Sequence, residues 1–275
     1  MSTAPVAVQP IPRGMARQVG RRLGDWFPAL AVFVLAIALW EGLVRAFDVQ
    51  QFLLPAPSAI VDTLVEERSL LWSGGVYTFT EAIGGFAIGC VLSILTALAL
   101  ARWRGLSGAV MPFAIAANAV PIIAFAPITD QWFGPLNKTS KMAIAAILVF
   151  FPVLVNTLRG LTSVRPSSIE LMRSYAAGEL TVLRRVRIPS ALPYIFSALK
   201  VASVLAMIGA VVGEYFVSSQ EALGFQIRNA AQLGEFELAW AAIVVASVLG
   251  IALYAAVALL ERLTMGWHPS ARGDI

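Results

Sequence analysis

Few side chains in this sequence could take part in chemistry. There is one cysteine, Cys90, and one histidine, His268, so we expect no disulfide within the chain and no cluster of metal ligands. None of the lysines follows a glycine, which excludes a P-loop for ATP. The HExxH and GxSxG motifs are also missing. The sequence therefore predicts no catalytic residue, no metal and no cofactor.

Polar residues inside apolar stretches are the next candidates, because a polar group at membrane depth is costly and is a functional hypothesis by default. Asn118 lies between apolar neighbours and shortly before Pro121, Asn156 lies in a later apolar stretch, and Glu214 directly follows Gly213. For Glu214 an interfacial side chain that reaches towards water is an equal alternative. The glycine pairs 85/89 and 209/213 indicate close helix packing.

A third candidate is the charged stretch 170–193. Its 24 residues contain four arginines, two glutamates and two prolines, although charged residues make up only 13% of the chain. A solvated loop whose arginines set the membrane topology would explain the charges. It would not explain the helix signals described below.

The elements that must position these residues are apolar helices. The chain of 275 residues is 59% hydrophobic, and its apolar runs approach or exceed the roughly 17–25 residues that span a bilayer as a helix. We predict an all-α polytopic membrane protein with six transmembrane helices, in the runs Pro28–Phe47, Ala82–Ala101, Gly105–Thr129, Met142–Leu158, Tyr194–Phe216 and Leu238–Leu260. Residues 1–24 form an N-terminal arm, residues 25–265 the membrane domain, and residues 266–275 a tail.

The distribution of basic residues predicts the orientation. With six spans both termini lie on one side, and that side carries 15 of the 20 Lys and Arg residues, so both termini are predicted to be cytoplasmic. The five on the other side are Arg45, Arg68, Lys138, Lys141 and Arg228. The sequence pI of about 9.6 is then explained by topology, and we expect no nucleic-acid partner.

The charged stretch lies on the cytoplasmic side, in a loop 160–193 between helices 4 and 5. Ser167 and Glu170 form a capping box, which predicts a helix that begins at Ser167 and runs to about Ala177. Gly178 is predicted to make the left-handed turn, since alanine at 176 would adopt that backbone only at a cost. A second short helix is predicted over residues 179–186, ended by Pro189 and Pro193.

These features resemble the EAA motif of permease subunits of bacterial ATP-binding-cassette (ABC) importers. That motif is Glu-Ala-Ala, three residues, Gly, nine residues, an aliphatic residue, one residue, an aliphatic residue and Pro. With Glu170 at its first position, Val186, Ile188 and Pro189 match its end without a gap. Leu171 and Met172 replace the alanines, and Ala176 occupies the glycine position.

Further pieces resemble the nitrate/sulfonate/taurine group of these permeases over about residues 50–265. They are Leu54-Pro55-Ala56-Pro57-Ser58, Ala126-Pro127 with Trp132-Phe133-Gly134, and Phe150-Phe151-Pro152. The tract Pro193–Lys200, followed by Gly213-Glu214, is similar to a branch that imports thiamine-precursor pyrimidines or riboflavin. The substrate itself is left open among these and small anions such as nitrate, sulfonates and taurine.

The resemblance implies a transport subunit of the bacterial inner membrane that is not itself an enzyme. A homodimer of permeases would form the pathway, separate ATPase subunits would bind the coupling helix-turn-helix, and an external solute-binding protein would deliver the solute. The implied ATPase contacts are Glu170, Ser174, Tyr175, Ala176, Ala177, Gly178, Glu179, Leu180, Thr181 and Val182. The implied pathway residues are Asn118, Pro121, Asn156 and Glu214, with Asn118 and Glu214 facing the dimer axis.

Two other classes of protein remain as alternatives. A secondary transporter or channel would use the same spans without an ATPase and would leave the helix-turn-helix unexplained. A membrane-embedded enzyme would need a catalytic cluster, for which the sequence offers no motif. Copurification with an ATPase would distinguish an ABC permease from both.

Overall fold

The structure is a computed structural model that describes residues 15–102, 104–117 and 119–265, with side chains from residue 28 onward except 103–107 and 118. The tail predicted for 266–275 and much of the predicted arm lie outside these residues. No β-strand occurs among the residues described. The helices are α1 (Met15–Ala46), α2 (Pro57–Glu66), α3 (Arg68–Ala101), α4 (Arg104–Ala117), α5 (Ala126–Phe133), α6 (Lys138–Thr162), α7 (Pro166–Ser174), α8 (Glu179–Val182), α9 (Ile188–Phe216), α10 (Leu223–Leu233) and α11 (Phe236–Thr264).

Five of the described helical segments are long and apolar enough to cross a membrane. They contain between 19 and 38 residues each, enough to span a hydrocarbon core as a helix. The protein is therefore an all-helical, polytopic membrane protein, as the sequence predicts. The five segments are Pro28–Ala46, Arg68–Ala101, Lys138–Thr162, Glu179–Phe216 and Phe236–Thr264.

The predicted third span is not one straight helix. The segments Gly108–Ala117 and Ile122–Phe133 meet at an angle of 85°, and they make a sixth span only if the bent pair crosses as one unit. Pro121 lies at the break with an extended backbone (φ −64°, ψ 103°) and precedes a short 3₁₀ turn. A proline has no N–H to donate and disfavours helical backbone in the residue before it, so the helix stops there.

The chain divides into two compact units, residues 1–59 and 60–275. In the first unit, Glu41 of α1 accepts hydrogen bonds from the backbone N–H of Ser58 (3.0 Å) and from its hydroxyl (2.9 Å). Arg45, one turn after Glu41, donates to the same carboxylate at 2.6 Å. These bonds satisfy an N–H at the start of α2 that has no partner within that helix.

The second unit is built on the mutual contact of α3, α6 and α9. Gly85 of α3 and Gly209 of α9 both face Ala145 of α6. A Cβ at Gly209 would lie 2.7 Å from Ala145 Cα, and a Cβ at Gly89 would lie 2.7 Å from the carbonyl oxygen of Ala146. The expectation that these glycines serve close packing is confirmed, and such small-residue contacts are how helices associate where lipid is as apolar as the side chains.

Polar contacts reinforce the packing of α3 on α6 and of α9 on α11. Ser93 of α3 donates from its hydroxyl to the carbonyl oxygen of Phe150 in α6, at 2.7 Å. Lys200 of α9 pairs with Glu261 of α11 at 2.8 Å, and the Glu261 side chain is almost completely buried. Each contact satisfies polar groups that would otherwise be costly to enclose.

We expect Gly209→Ala to destabilise the protein, because its Cβ would overlap the backbone of Ala145 and the helices would have to separate. Overpacking of this kind costs about 1–3 kcal/mol, which should lower the midpoint of thermal unfolding of the purified complex. Gly250→Ala in α11 is the matched control, since its Cβ would meet only the Met207 side chain, at ordinary contact distances of 3.6 Å from Cγ and 3.7 Å from Cβ. Equal shifts for the two variants would contradict the close-packing role.

Candidate functional site

The loop 160–193 contains the first predicted helix, but its start differs from the prediction. Helix α7 begins at Pro166, and Arg165 is its N-cap residue, with no side-chain capping bond. Ser167 therefore lies inside the first turn and does not form a capping box with Glu170. A proline at the first helical position is favourable because its φ is already helical and its missing N–H would have no partner there.

Ala176, and not Gly178, makes the left-handed turn, so that prediction is wrong. Ala176 has φ +55°, whereas Gly178 has φ −68° and ψ 161°, an extended backbone open to any residue. The N–H of Ala177 donates to Met172 O at 3.0 Å, and the N–H of Ala176 donates to Arg173 O at 2.9 Å. These two bonds form a Schellman motif, which requires the left-handed residue at the position of Ala176.

The second predicted helix is not a separate element. Helix α8 continues through a π-helical turn, Leu183–Arg187, directly into α9, so that residues 179–216 form one continuous helical segment. Pro189 lies in the first turn of α9 and ends nothing. In a regular α-helix the ring of Pro189 would clash with the carbonyl of Arg185. The π turn, which is wider, lies at that place and avoids the clash.

The exposed part of this loop is partly apolar. Tyr175 is 77% exposed and Leu180 is 60% exposed, and Leu171 is exposed beside them. Val182, by contrast, is buried (2% exposed), so its side chain packs beneath this surface and is not part of it. The remaining predicted contact residues divide into exposed positions and partly buried ones. Glu170, Ser174, Ala176, Gly178 and Glu179 are exposed, and Ala177 and Thr181 are partly buried.

Two polar contacts brace the loop. Arg173 of α7 lies 3.7 Å from Glu179 of α8, across the turn, although both side chains are mostly exposed. Arg187 donates from Nη1 to the carbonyl oxygen of Ala101, at the end of α3, at 3.2 Å. The second bond satisfies a carbonyl that has no partner within its own helix, and it ties the π turn to the membrane core.

The structure describes three of the four predicted pathway residues, and it does not bring these three together in one site. Asn118 lies outside the described residues. Pro121 lies at the break of the third span, next to a cavity of about 240 Å³. Asn156 is half-buried and donates from Nδ2 to Pro152 O in its own helix at 2.8 Å. The cavity is lined by Ala117, Val120, Ile122, Phe125, Ile147, Leu148 and Phe151.

Glu214 is fully buried, so the alternative of an interfacial side chain reaching towards water is wrong. Its carboxylate accepts hydrogen bonds from the Thr78 hydroxyl and from the N–H of Gly224. Because no part of it reaches a surface, Glu214 can touch a passing solute only if the surrounding helices move. Its role in a pathway therefore stays a prediction.

Sequence reasoning missed the polar cluster that surrounds Glu214. Thr78, Glu81 and Lys141 are each at most 1% exposed, and Lys141 forms an ion pair with Asp130 at 2.7 Å. In the sequence, Glu81 and Lys141 directly precede apolar runs, which is typical of charged residues at the end of a membrane span. In the structure both lie inside the helices α3 and α6, and this is what distinguishes them from such residues.

Comparison with known proteins gives the family. The family described as the inner membrane component of binding-protein-dependent transport systems matches residues 89–265. A riboflavin transport system permease of Chloroflexus aurantiacus is 32% identical over 95% of this chain and 98% of its own length. A formylaminopyrimidine transport permease of Halalkalibacterium halodurans is 34% identical, over 86% of this chain and 94% of its own.

More distant similarities agree with this. A putative aliphatic sulfonates transport permease of Bacillus subtilis is 28% identical over 94% of this chain and 93% of its own. The crystal structure of an amino acid ABC transporter has the same fold, with a TM-score of 0.57 at 20% identity, covering 73% of this chain and 96% of that one.

The chain therefore belongs to the family of inner membrane components of binding-protein-dependent transport systems. It is the permease subunit of an ABC importer, in the nitrate/sulfonate/taurine group with its riboflavin and thiamine branches. It is a multi-pass protein of the bacterial inner membrane, and ATP is hydrolysed on a separate subunit.

We expect Ala176→Gly to stabilise the turn after α7, because a left-handed backbone costs an L-residue about 1–2 kcal/mol that glycine avoids. Hydrogen exchange of the Ala177 amide, which reports opening of its bond to Met172, should become a few-fold slower. Gly178→Ala should leave that rate nearly unchanged, since its backbone is extended. Faster exchange in Ala176→Gly would contradict the assignment of the turn.

Proposed function

We propose that two copies of this chain form the translocation pathway, with both termini in the cytoplasm, and that the pathway serves an uncharged heteroaromatic solute. The excess of basic residues on the side of the termini supports the orientation. On that side the loop 160–193 of each copy faces the cytoplasm, where it can meet an ATPase. A pair of permeases presents two such loops, one for each ATPase subunit.

The exposed apolar side chains of this loop are the observation that supports ATPase docking best. Tyr175 and Leu180 lie on either side of the Schellman turn and are largely exposed. Large apolar side chains on an otherwise polar cytoplasmic loop are typical of a protein contact, where aromatic residues contribute most of the binding energy. We place the coupling contact on Tyr175, Leu180 and the exposed residues between them.

The continuous segment 179–216 supports a mechanical role for that contact. A displacement of α8 by the ATPase is carried into α9 without an intervening flexible joint. Because α9 packs on α3 and α6 through small residues, it moves with them as a body or slides along them. Hydrolysis outside the membrane is thereby linked to rearrangement inside it.

The cavity beside Pro121 supports a flat solute without a charge. Its seven lining residues carry no charge, and Phe125 and Phe151 offer two aromatic rings. Irregular backbone at membrane depth is tolerated where it lines a cavity, and broken helices are common at transport sites. Two relatives above 30% identity are named for riboflavin and formylaminopyrimidine, and both of these solutes are heteroaromatic.

We expect the double variant Leu183→Gly, Val186→Gly to uncouple hydrolysis from transport, because two glycines in the π turn loosen the joint between α8 and α9 by about 1 kcal/mol each. The reconstituted complex should still contain its ATPase and hydrolyse ATP, while solute uptake per ATP hydrolysed falls. Leu183→Ala, Val186→Ala is the control, since it removes the same side chains but keeps the helix.

An unchanged ratio of uptake to hydrolysis in the glycine variant would mean that this segment only tethers the ATPase. Loss of the ATPase from both variants would move the docking surface onto Leu183 and Val186 and away from Tyr175 and Leu180.

We expect Phe125→Ala and Phe151→Ala to reduce uptake of labelled riboflavin or formylaminopyrimidine at limiting concentration. An aromatic pair contributes about 0.5–1.5 kcal/mol beyond simple burial, so the loss should be roughly two- to tenfold. Phe113→Ala, whose ring is 76% exposed and does not line the cavity, should transport normally.

Labelled taurine is the comparison solute. Uptake of taurine, with no uptake of either heteroaromatic compound, would contradict the proposed solute class while leaving the ABC permease assignment intact. An equal loss in the Phe113→Ala variant would show that the effect does not come from this cavity.

A further inference from the structure

The N-terminus of α10 is held by side chains from two other helices. The N–H of Leu223 donates to Thr78 Oγ1 of α3 at 3.0 Å, and the N–H of Gly224 donates to Glu214 Oε2 of α9 at 2.8 Å. Thr78 Oγ1 in turn donates to the same Glu214 oxygen at 3.0 Å. The first turn of a helix leaves four N–H groups without partners inside the helix, and here two of them are satisfied by residues distant in sequence.

The remaining carboxyl oxygens of this cluster have no donor. Glu81 is fully buried, and among the described residues nothing donates to either of its oxygens or to Oε1 of Glu214. Glu81 lies one turn after Thr78 on the same face of α3, and Thr78 contacts Glu214, so the two carboxyl groups lie close together. Two ionised carboxylates can only accept hydrogen bonds, so side by side in a closed space they would repel each other and leave three acceptors unsatisfied.

The cations near the pair donate their hydrogen bonds to other groups. Lys141 Nζ donates to Asp130 Oδ1 at 2.7 Å and to Pro135 O at 2.6 Å, and it gives no hydrogen bond to Glu81 or to Oε1 of Glu214, although its charge is near enough to act on both carboxyl groups. Lys138 Nζ donates to Thr80 Oγ1 at 2.9 Å and lies 3.9 Å from the centre of the Tyr77 ring. The other titratable groups that face this cluster are Tyr77 of α3 and Glu221, which precedes α10.

We propose that Glu81 and Glu214 share a single proton, with Glu81 as the donor to Oε1 of Glu214, and that this pair fixes α10 to α3 and α9. One proton turns an acceptor into a donor and removes one of the two like charges. Glu214 then keeps its negative charge on the side that faces Gly224 and Thr78, where a helix N-terminus favours an anion. Glu81 acts as a positioning residue, because it touches α10 only through Glu214.

The test measures the attachment of α10 through an engineered cysteine. Ala230 lies on the buried face of α10 and is 1% exposed, so Ala230→Cys in a Cys90→Ala background reports, by its rate of maleimide labelling, how often α10 detaches. The rate is measured in the purified complex with its ATPase at neutral pH. With Glu81 in place, labelling should be slow.

Two substitutions of Glu81 separate the proton from the side-chain volume. Glu81→Gln keeps a donor for Glu214 without a charge, so labelling should remain at the rate of the background protein. Glu81→Met fills a similar volume without a donor, so labelling should be about tenfold faster or more, since one buried acceptor loses its partner. Fast labelling in Glu81→Gln would indicate a charged Glu81, held by a bound cation, and would overturn the proposal. Slow labelling in Glu81→Met would make Glu81 a space-filling residue, which would overturn it as well.

Infrared spectroscopy detects the proton directly and does not depend on the folding of the methionine variant. A difference spectrum between the background protein and Glu81→Gln at neutral pH should contain the C=O stretch of a protonated carboxylic acid. Absence of that band in two samples that elute identically on size exclusion would overturn the shared proton.

Discussion

The close contact among α3, α6 and α9 is the constraint on which the rest of the second unit depends. Ala145 of α6 is touched from one side by Gly85 and from the other by Gly209, and a single added methyl at either glycine would overlap backbone or Cβ atoms. In a bilayer, apolar side chains gain little by leaving lipid, so helices associate where small residues let their backbones approach. The three helices can therefore hold polar groups in fixed positions within the membrane domain.

One of these helices connects two distant parts of the protein, the loop 160–193 and the cluster around Glu214. The segment that begins at Glu179 carries Leu180, one of the exposed residues of the loop 160–193, and near its other end it carries Glu214. At 1.5 Å per residue these ends lie roughly 50 Å apart along the helix, more than the thickness of a hydrocarbon core. Since the segment is continuous, events at the loop 160–193 and at the buried carboxyl pair can influence each other through a single element.

The third span, by contrast, is not continuous. Pro121 interrupts the helix, and the irregular backbone around it borders an uncharged cavity between α4 and α6. Under the proposed function, continuous helix lies where motion would be transmitted, and interrupted helix lies beside the cavity proposed for the solute. This division agrees with a permease in which ATP hydrolysis and solute recognition occur in separate places.

The sequence alone determined the class of the protein, because span length, charge asymmetry and the motif that starts at Glu170 all depend on residues close together in the chain. It also indicated the packing role of the glycine pairs. The predictions from neighbouring residues were wrong where two features of the same segment favoured different structures. Gly178 has the freer backbone, but the bonds of Ala176 and Ala177 to α7 require the left-handed residue at 176. Likewise, Pro189 and Pro193 indicate a helix end, but the π turn before them lets the helix continue.

Only the tertiary structure could reveal the cluster around Glu214. Thr78, Glu81 and Gly224 come from different elements, and none of them stands out among its sequence neighbours. They meet because the helices α3 and α9 pack closely enough for α10 to bind across both. A hydrogen bond between residues so distant in sequence leaves no periodic pattern, since its geometry is set by the packing of whole helices and not by the residues on either side.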